Sequence, residues 1–268
     1  MDIPFNFQSY GFGSLLIILF VAVSVGGVFP ARKRLTLNGL KHYQDVSGNI
    51  FGVAGTLYAV LLGLVVVDAM ETFSTARITV EKESDALANM YILASRLPPE
   101  RAQAFQSLCM SYAREVVERE WPMMDQGKSD PEARNLTYRF FRQIADVEPT
   151  TENLKAVYPL LLEQGMELRD QRRMRTTIAT HGLPLIEWIV LCLGAIVTVT
   201  FTYFFRLESL KVQLSLTGMV ALLIALNLYL VVLFGNPFSG DLHVESEPFQ
   251  TDLEIFERLK AFDEPAHR

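Results

Sequence analysis

The sequence predicts an all-α, four-span membrane protein with a helical extramembrane domain set between its second and third spans. Three observations lead there. Four apolar stretches approach or exceed the roughly 20 residues that a helix needs to cross ~30 Å of hydrocarbon. Residues 71–180 carry nearly balanced acids and bases with helical periodicity and no credible strand pattern. Half of the residues are apolar and the mean hydropathy is +0.22, although 20% are charged. That mixture suits segregated blocks better than one uniform globule. The blocks divide as a first span pair (1–70), the helical domain (71–180), a second span pair (181–235) and an acidic tail (236–268).

The first span is expected from Gly11 to Phe29. Its leader holds Asp2 and no Lys or Arg, and its far end runs into Pro30-Ala31-Arg32-Lys33-Arg34, the reverse of a signal peptide's charge order. An uncleaved span with its amino end outside is the expectation. The loops after spans one and three carry Arg32, Lys33, Arg34 and Lys41, then Arg206 and Lys211. They are balanced by Arg77, Lys82, Arg169, Arg172, Arg173 and Arg175 on the other side. The weight of the first helix and the short loops tilts the balance toward a large domain that faces away from the cytoplasm.

Span two is expected from Ile50 to Val67 and continues as one helix, because Val80, Ser84, Leu87, Tyr91 and Ala94 repeat at spacings of four and three and no breaker intervenes before Leu97-Pro98-Pro99. A second domain helix begins at Pro99 with Phe105, Leu108, Tyr112 and Val116 on one side and is expected to stop at Trp121-Pro122. Met123–Pro131 reads as a loop and Leu136, Phe140 and Ile144 mark a third helix. Thr150 or Thr151 caps a fourth, which Pro159 should kink or delay, and which leads to His181-Gly182. Span three is expected from Leu183 to Phe205 and span four from Val212 to Phe234. The tail contains a candidate helix, Thr251 to Phe262, read as peripheral.

Chemistry is sparse. His42, His181, His243 and His267 are scattered, Cys109 and Cys192 make no framework, and no phosphate loop or nucleophile elbow is found. The expectation is therefore not an enzyme, with no metal site and no cofactor. A net charge of −6 without a long basic run excludes nucleic acid as a partner.

Polar residues in or beside the spans carry more information, since a charge in hydrocarbon usually faces a partner or water. Asp68 and Glu71 end span two, Glu187 lies one turn into span three, and Asn227 sits near the middle of span four. Each also has a plain reading: interface marking for Asp68 and Glu71, pairing with the arginines for Glu187, an interhelical hydrogen bond for Asn227. Gly55, Ala59 and Gly63 form a small-residue stripe that suits close helix packing, within one subunit or between subunits. The opposite side, Tyr58, Leu62, Val65 and Asp68 with Glu71 beyond, is the candidate pore lining.

Tyr58 to Val67, the acidic helix through Glu81, Glu83 and Ala86-Leu87, then Glu118-Arg119-Glu120-Trp121-Pro122 and Asn236-Pro237-Phe238-Ser239-Gly240 resemble the bacterial bestrophin-like membrane proteins over nearly the whole chain. The resemblance implies a pentameric anion channel with two helix pairs flanking a helical domain and the second span lining the pore. This chain departs from bestrophins in a Leu- and Val-rich span two without an aromatic neck, and in the expected side of its domain. The function expected is passive ion conduction by a homo-oligomer in the lipid bilayer, with inorganic ions as its passengers. The rival is a non-conducting scaffold or sensor that binds a partner through its helical domain; a secondary transporter is disfavoured by spans without breaks.

Overall fold

The computed structural model describes residues 8–34, 44–205, 207 and 209–263. Asp2, Lys41, His42, Arg206 and His267 lie outside the described residues. All regular structure among the described residues is helical. Four helices are long and apolar enough to cross a membrane. The chain is a helical membrane protein with the layout that the sequence predicts.

Two compact units divide the chain. The span unit comprises residues 1–72, 183–236 and 240–242. Its first crossing is α1 (Tyr10–Gly26) followed by α2 (Val28–Arg34). The helix does not end before Pro30 as expected. Proline has no N–H to donate, but Pro30 falls in the first turn of α2, where that donor is dispensable. Helical hydrogen bonds bridge the joint, Gly27 N to Val23 O at 2.9 Å and Ala31 N to Gly27 O at 3.3 Å. The second crossing belongs to α3 (Gln44–Ala94), 51 residues without a break. The third and fourth are α8 (Leu185–Phe204) and α9 (Leu210–Phe234), the latter capped by Ser209.

Three of the close approaches in this unit follow one rule: a tyrosine ring lies on a glycine of another helix. Tyr229 covers Gly13, Tyr203 covers Gly27, and Tyr58 covers Gly194. A Cβ at those glycines would meet ring or hydroxyl atoms at 2.0, 2.4 and 2.3 Å, so only glycine fits. In lipid, helices gain little from hiding apolar surface from each other, so such van der Waals fits carry the association.

The helical domain comprises residues 73–182, 237–239 and 243–268. The face of α3 predicted to be inward is inward, with Val80, Ser84, Leu87, Tyr91 and Ala94 all buried. The next helices are α4 (Pro99–Glu115), a π turn (Val116–Glu120) and α5 (Trp121–Met124). The expected stop at Trp121-Pro122 does not occur. The wide π turn, with Trp121 N bonded to Val116 O, comes just before Pro122 and opens the ladder where the ring needs space. After a turn at Gly127 (φ 68°), α6 (Pro131–Ala145) is capped by Asp130 and presents Leu136, Phe140 and Ile144 to the core. Thr151 caps α7 (Glu152–Thr180), which starts undelayed and runs through Pro159.

The tail is not peripheral. Its helix α10 (Glu247–Asp263) buries Phe249 and Phe256 completely, and Phe256 stacks on Tyr91 with ring centroids 4.1 Å apart. Two aromatic residues two turns apart on one helical face anchor an otherwise acidic segment, a packing that net charge alone does not disclose.

Candidate functional site

The candidate path element is the membrane part of α3. Its sequence places Tyr58, Leu62, Val65, Val66 and Ala69 on one stripe, and the structure turns that stripe inward: all but the half-buried Val65 are buried. Tyr58 donates its hydroxyl to Leu191 O at 3.0 Å, and Leu62 and Val66 share a core with Leu191, Ala195 and Val199 of α8. Tyr58 and Leu62, expected to face a path, are thus occupied by packing within their own chain. The physical reason is Gly194, which admits the Tyr58 ring and draws this face of α3 onto α8.

The small-residue stripe is open instead. Ala59 and Gly63 are exposed, Gly55 is half-buried, and a Cβ added at Gly55 or Gly63 would meet nothing within 4 Å. Opposite the buried stripe run Val53, Leu57, Val60, Leu64 and Val67, spaced four and three apart and each more than half exposed, with Glu71 next in the same series. Asp68 is exposed beside them.

The remaining polar candidates, Glu187 and Asn227, differ in their surroundings. Glu187 is half-buried in the first turn of α8, and among the described residues no ion pair joins it to the arginines that precede span three. Asn227 donates to Leu223 O of its own helix at 2.9 Å, rather than to a neighbouring helix as the plain reading held. Among the described residues, no cluster of His, Cys, Asp and Glu gathers as metal ligands would.

An ion network inside the helical domain was not anticipated by sequence. Arg175, fully buried, donates Nε to Glu83 Oε2 at 2.7 Å and Nη2 to Glu83 Oε1 at 2.9 Å and Glu120 Oε2 at 2.8 Å. Arg172 bonds Glu120 Oε1 and reaches Asp130 O at 3.0 Å, and Tyr112 donates to Glu83 Oε1 at 2.6 Å. The Arg175 guanidinium also lies 5.2 Å from the Trp121 ring. Burial opposes its charge, but Glu83 and Glu120 outweigh that and hold its proton above the usual arginine range. Burial, then the Glu83 carboxylate, push the Tyr112 hydroxyl well up. Two of the four arginines read as membrane-flanking charge are therefore core residues. The signal was present: Leu161, Leu168, Arg172 and Arg175 share the buried side of α7.

This network also joins the two most distinctive sequence elements. Glu120 and Trp121 precede Pro122, and the Trp121 ring meets Phe238 edge-on at 5.8 Å while its Nε1 donates to Val244 O at 3.2 Å.

Solved structures share this arrangement of helices. A point variant of the bacterial bestrophin homologue from Klebsiella pneumoniae aligns with a TM-score of 0.68 at 15% identity, over 92% of this chain and 99% of that one. A second variant gives 0.64 at 14% identity, over 90% and 98%. A structure of that homologue phased with zinc gives 0.58 at 15% identity, over 90% and 96%. At such identities the likeness speaks for the fold. No curated protein matches the chain in sequence. The bestrophin-like domain matches residues 18–249, and by that match the chain belongs to the bestrophin-like domain family.

Proposed function

We propose that this chain is one subunit of an oligomeric ion channel of the bacterial inner membrane, conducting passively along an axis bordered by the membrane part of α3 from each copy. The observation that carries the reading is the asymmetry of that helix. One stripe is buried against α8, and the series Val53, Leu57, Val60, Leu64, Val67 and Glu71 on the far side is uncovered. In this arrangement the far side borders the axis, and the stripe of Gly55, Ala59 and Gly63 meets the next copy closely, as small residues allow. Tyr58 and Leu62 hold the helix in place from behind. Family membership supports the same class of function, with five copies as the number that the bestrophin layout suggests. Passive conduction needs neither cofactor nor catalytic group, and pore radius with ring charge sets selectivity. Glu71 and Asp68 supply the acidic ring nearest the end of the crossing.

Cysteines introduced one at a time into a Cys192→Ala background, which keeps only the buried Cys109, and assayed by ion flux in liposomes, test this. Leu64→Cys and Val67→Cys should react with a water-soluble thiol reagent and lose flux, whereas Tyr58→Cys and Leu62→Cys should not react. Flux no greater than that of empty vesicles would abandon conduction in favour of the scaffold or sensor reading.

A further inference from the structure

At one end of the span unit a cation is held among the helices. Arg32, in the last turn of α2, is half-buried and donates Nη1 to Gln213 Oε1 at 2.9 Å. Gln213, near the start of α9, is only 2% exposed. An arginine offers donors alone, so it dictates the amide's orientation: the oxygen must face the guanidinium, which leaves the amide nitrogen over. Among the described residues, Gln213 Nε2 has no hydrogen-bond partner. One turn deeper the polar seam is satisfied, with Thr217 Oγ1 bonded to Thr202 Oγ1 at 3.2 Å and Tyr203 donating to Ser24 O at 2.7 Å. The unmet donor therefore belongs to the Arg32 end of the seam.

Depth indicates what meets it. At 1.5 Å per residue, roughly 33 Å of helix separates Tyr10 from Arg32 and roughly 32 Å separates Gln213 from Phe234, against a hydrocarbon core of ~30 Å. Arg32 and Gln213 thus stand at headgroup level, where the abundant acceptor is phosphate. The exposed Lys33 and Arg34 follow directly and add positive charge.

We propose that Arg32 and Gln213 together seat a phosphate oxyanion, delivered at the membrane face by an anionic phospholipid. The guanidinium supplies charge and forked donors, and the amide nitrogen supplies a neutral donor beside it. An acceptor there completes the hydrogen bonding of a buried amide nitrogen that the described residues leave unmet.

The test is lipid retention by native mass spectrometry, from micelles holding equal phosphatidylglycerol and phosphatidylcholine. The wild-type protein should keep phosphatidylglycerol in preference. Arg32→Gln should reduce that preference at least tenfold and Gln213→Leu several-fold, while Arg32→Lys keeps the charge, loses the fork and falls between. A Lys33→Gln, Arg34→Gln double variant should change it by no more than about threefold, because those residues contribute diffuse attraction only. A parallel arm measures the thermal midpoint in phosphatidylcholine nanodiscs with and without inorganic phosphate. A rise that Arg32→Gln abolishes would assign the seat to phosphate from solution, whereas no rise, with lipid preference intact, assigns it to the headgroup. The proposal is overturned if Arg32→Gln, folded as judged by an unchanged elution profile, retains the wild-type lipid ratio. Equal loss in the double variant would overturn it too.

Discussion

The two units are held together by opposite means. In the span unit, helices meet where tyrosine rings lie on glycines, and tyrosine hydroxyls bond backbone carbonyls across crossings, from Tyr58 to Leu191 O and from Tyr203 to Ser24 O, while the charged bond from Arg32 to Gln213 stands at one end. In the helical domain, four charged side chains from three segments, Glu83, Glu120, Arg172 and Arg175, are buried together beneath aromatic rings. The difference follows from the solvent. Water drives the domain's apolar faces together, and that driving force is large enough to carry a buried ion network with it. Lipid gives crossings no comparable drive, so their fit rests on shape and on short neutral bonds.

Removing the hub of the ion network should have the largest effect. Arg175→Met leaves Glu83 and Glu120 buried without their cation, and breaking such a pair costs about 3–5 kcal/mol. Denaturation of the purified protein should show the domain's transition shifted by that amount. A loss below about 1 kcal/mol would mean that the network is not what secures the domain.

Asp252 sharpens the contrast within the domain itself. It is a buried acid that accepts a hydrogen bond from the Ser84 hydroxyl, and burial, with Asp85 nearby, outweighs that bond and raises its pKa to about 6. Because the folded pKa lies above the unfolded one, the folded domain holds this proton more tightly. The stabilisation is present in full below about pH 4 and disappears as pH rises through 6, amounting to on the order of 3 kcal/mol. Asp252→Asn should therefore be more stable than the wild type at pH 8 and indistinguishable from it at pH 4, read as the difference between two melting curves. A gap that does not change with pH would refute the assignment.

In the span unit the corresponding perturbation is steric. Gly194→Ala places a Cβ 2.3 Å from the Tyr58 ring and should cost about 1–3 kcal/mol in a detergent melt. Gly63→Ala meets nothing within 4 Å and should leave the single chain unaffected, so any loss it causes must come from assembly. Smaller than the Gly194→Ala loss, Tyr58→Phe removes only the hydroxyl bond to Leu191 O and should cost about 0.5–1.5 kcal/mol. A Tyr58→Phe loss as large as that of Gly194→Ala would erase the distinction between shape and hydrogen bonding drawn for this unit.

Much of the architecture is legible in the chain because periodicity encodes it. The inward face of α3 from Val80 to Ala94, the Pro99 start, and the cap at Thr151, one of two adjacent threonines expected there, are local matters of spacing and unpaired backbone donors. The stripes of α3 were only partly legible: Tyr58 and Leu62 read as path-facing, and the glycines as a packing face within one subunit or between subunits. Rotation of a crossing about its own axis depends on its neighbour. Here Gly194, more than 130 positions away, accepts the ring of Tyr58 and settles which stripe is inside. The tail misled for a related reason, since its acidity is on view in the sequence while the aromatic sites that receive Phe249 and Phe256 are assembled from other helices.

By itself, then, the amino-acid order determined the class of the protein, its four crossings and the helices of its domain. These depend on apolar length, on the 3.6-residue repeat and on caps, all of which act over a few turns of chain. Only the tertiary structure decided which face of α3 is uncovered in the single chain, that Arg172 and Arg175 are core rather than membrane-flanking charges, and that among the described residues the Gln213 amide nitrogen is left unmet beside Arg32. Those depend on what lies across a helix interface, and burial is a property of the pair of surfaces that no single segment carries.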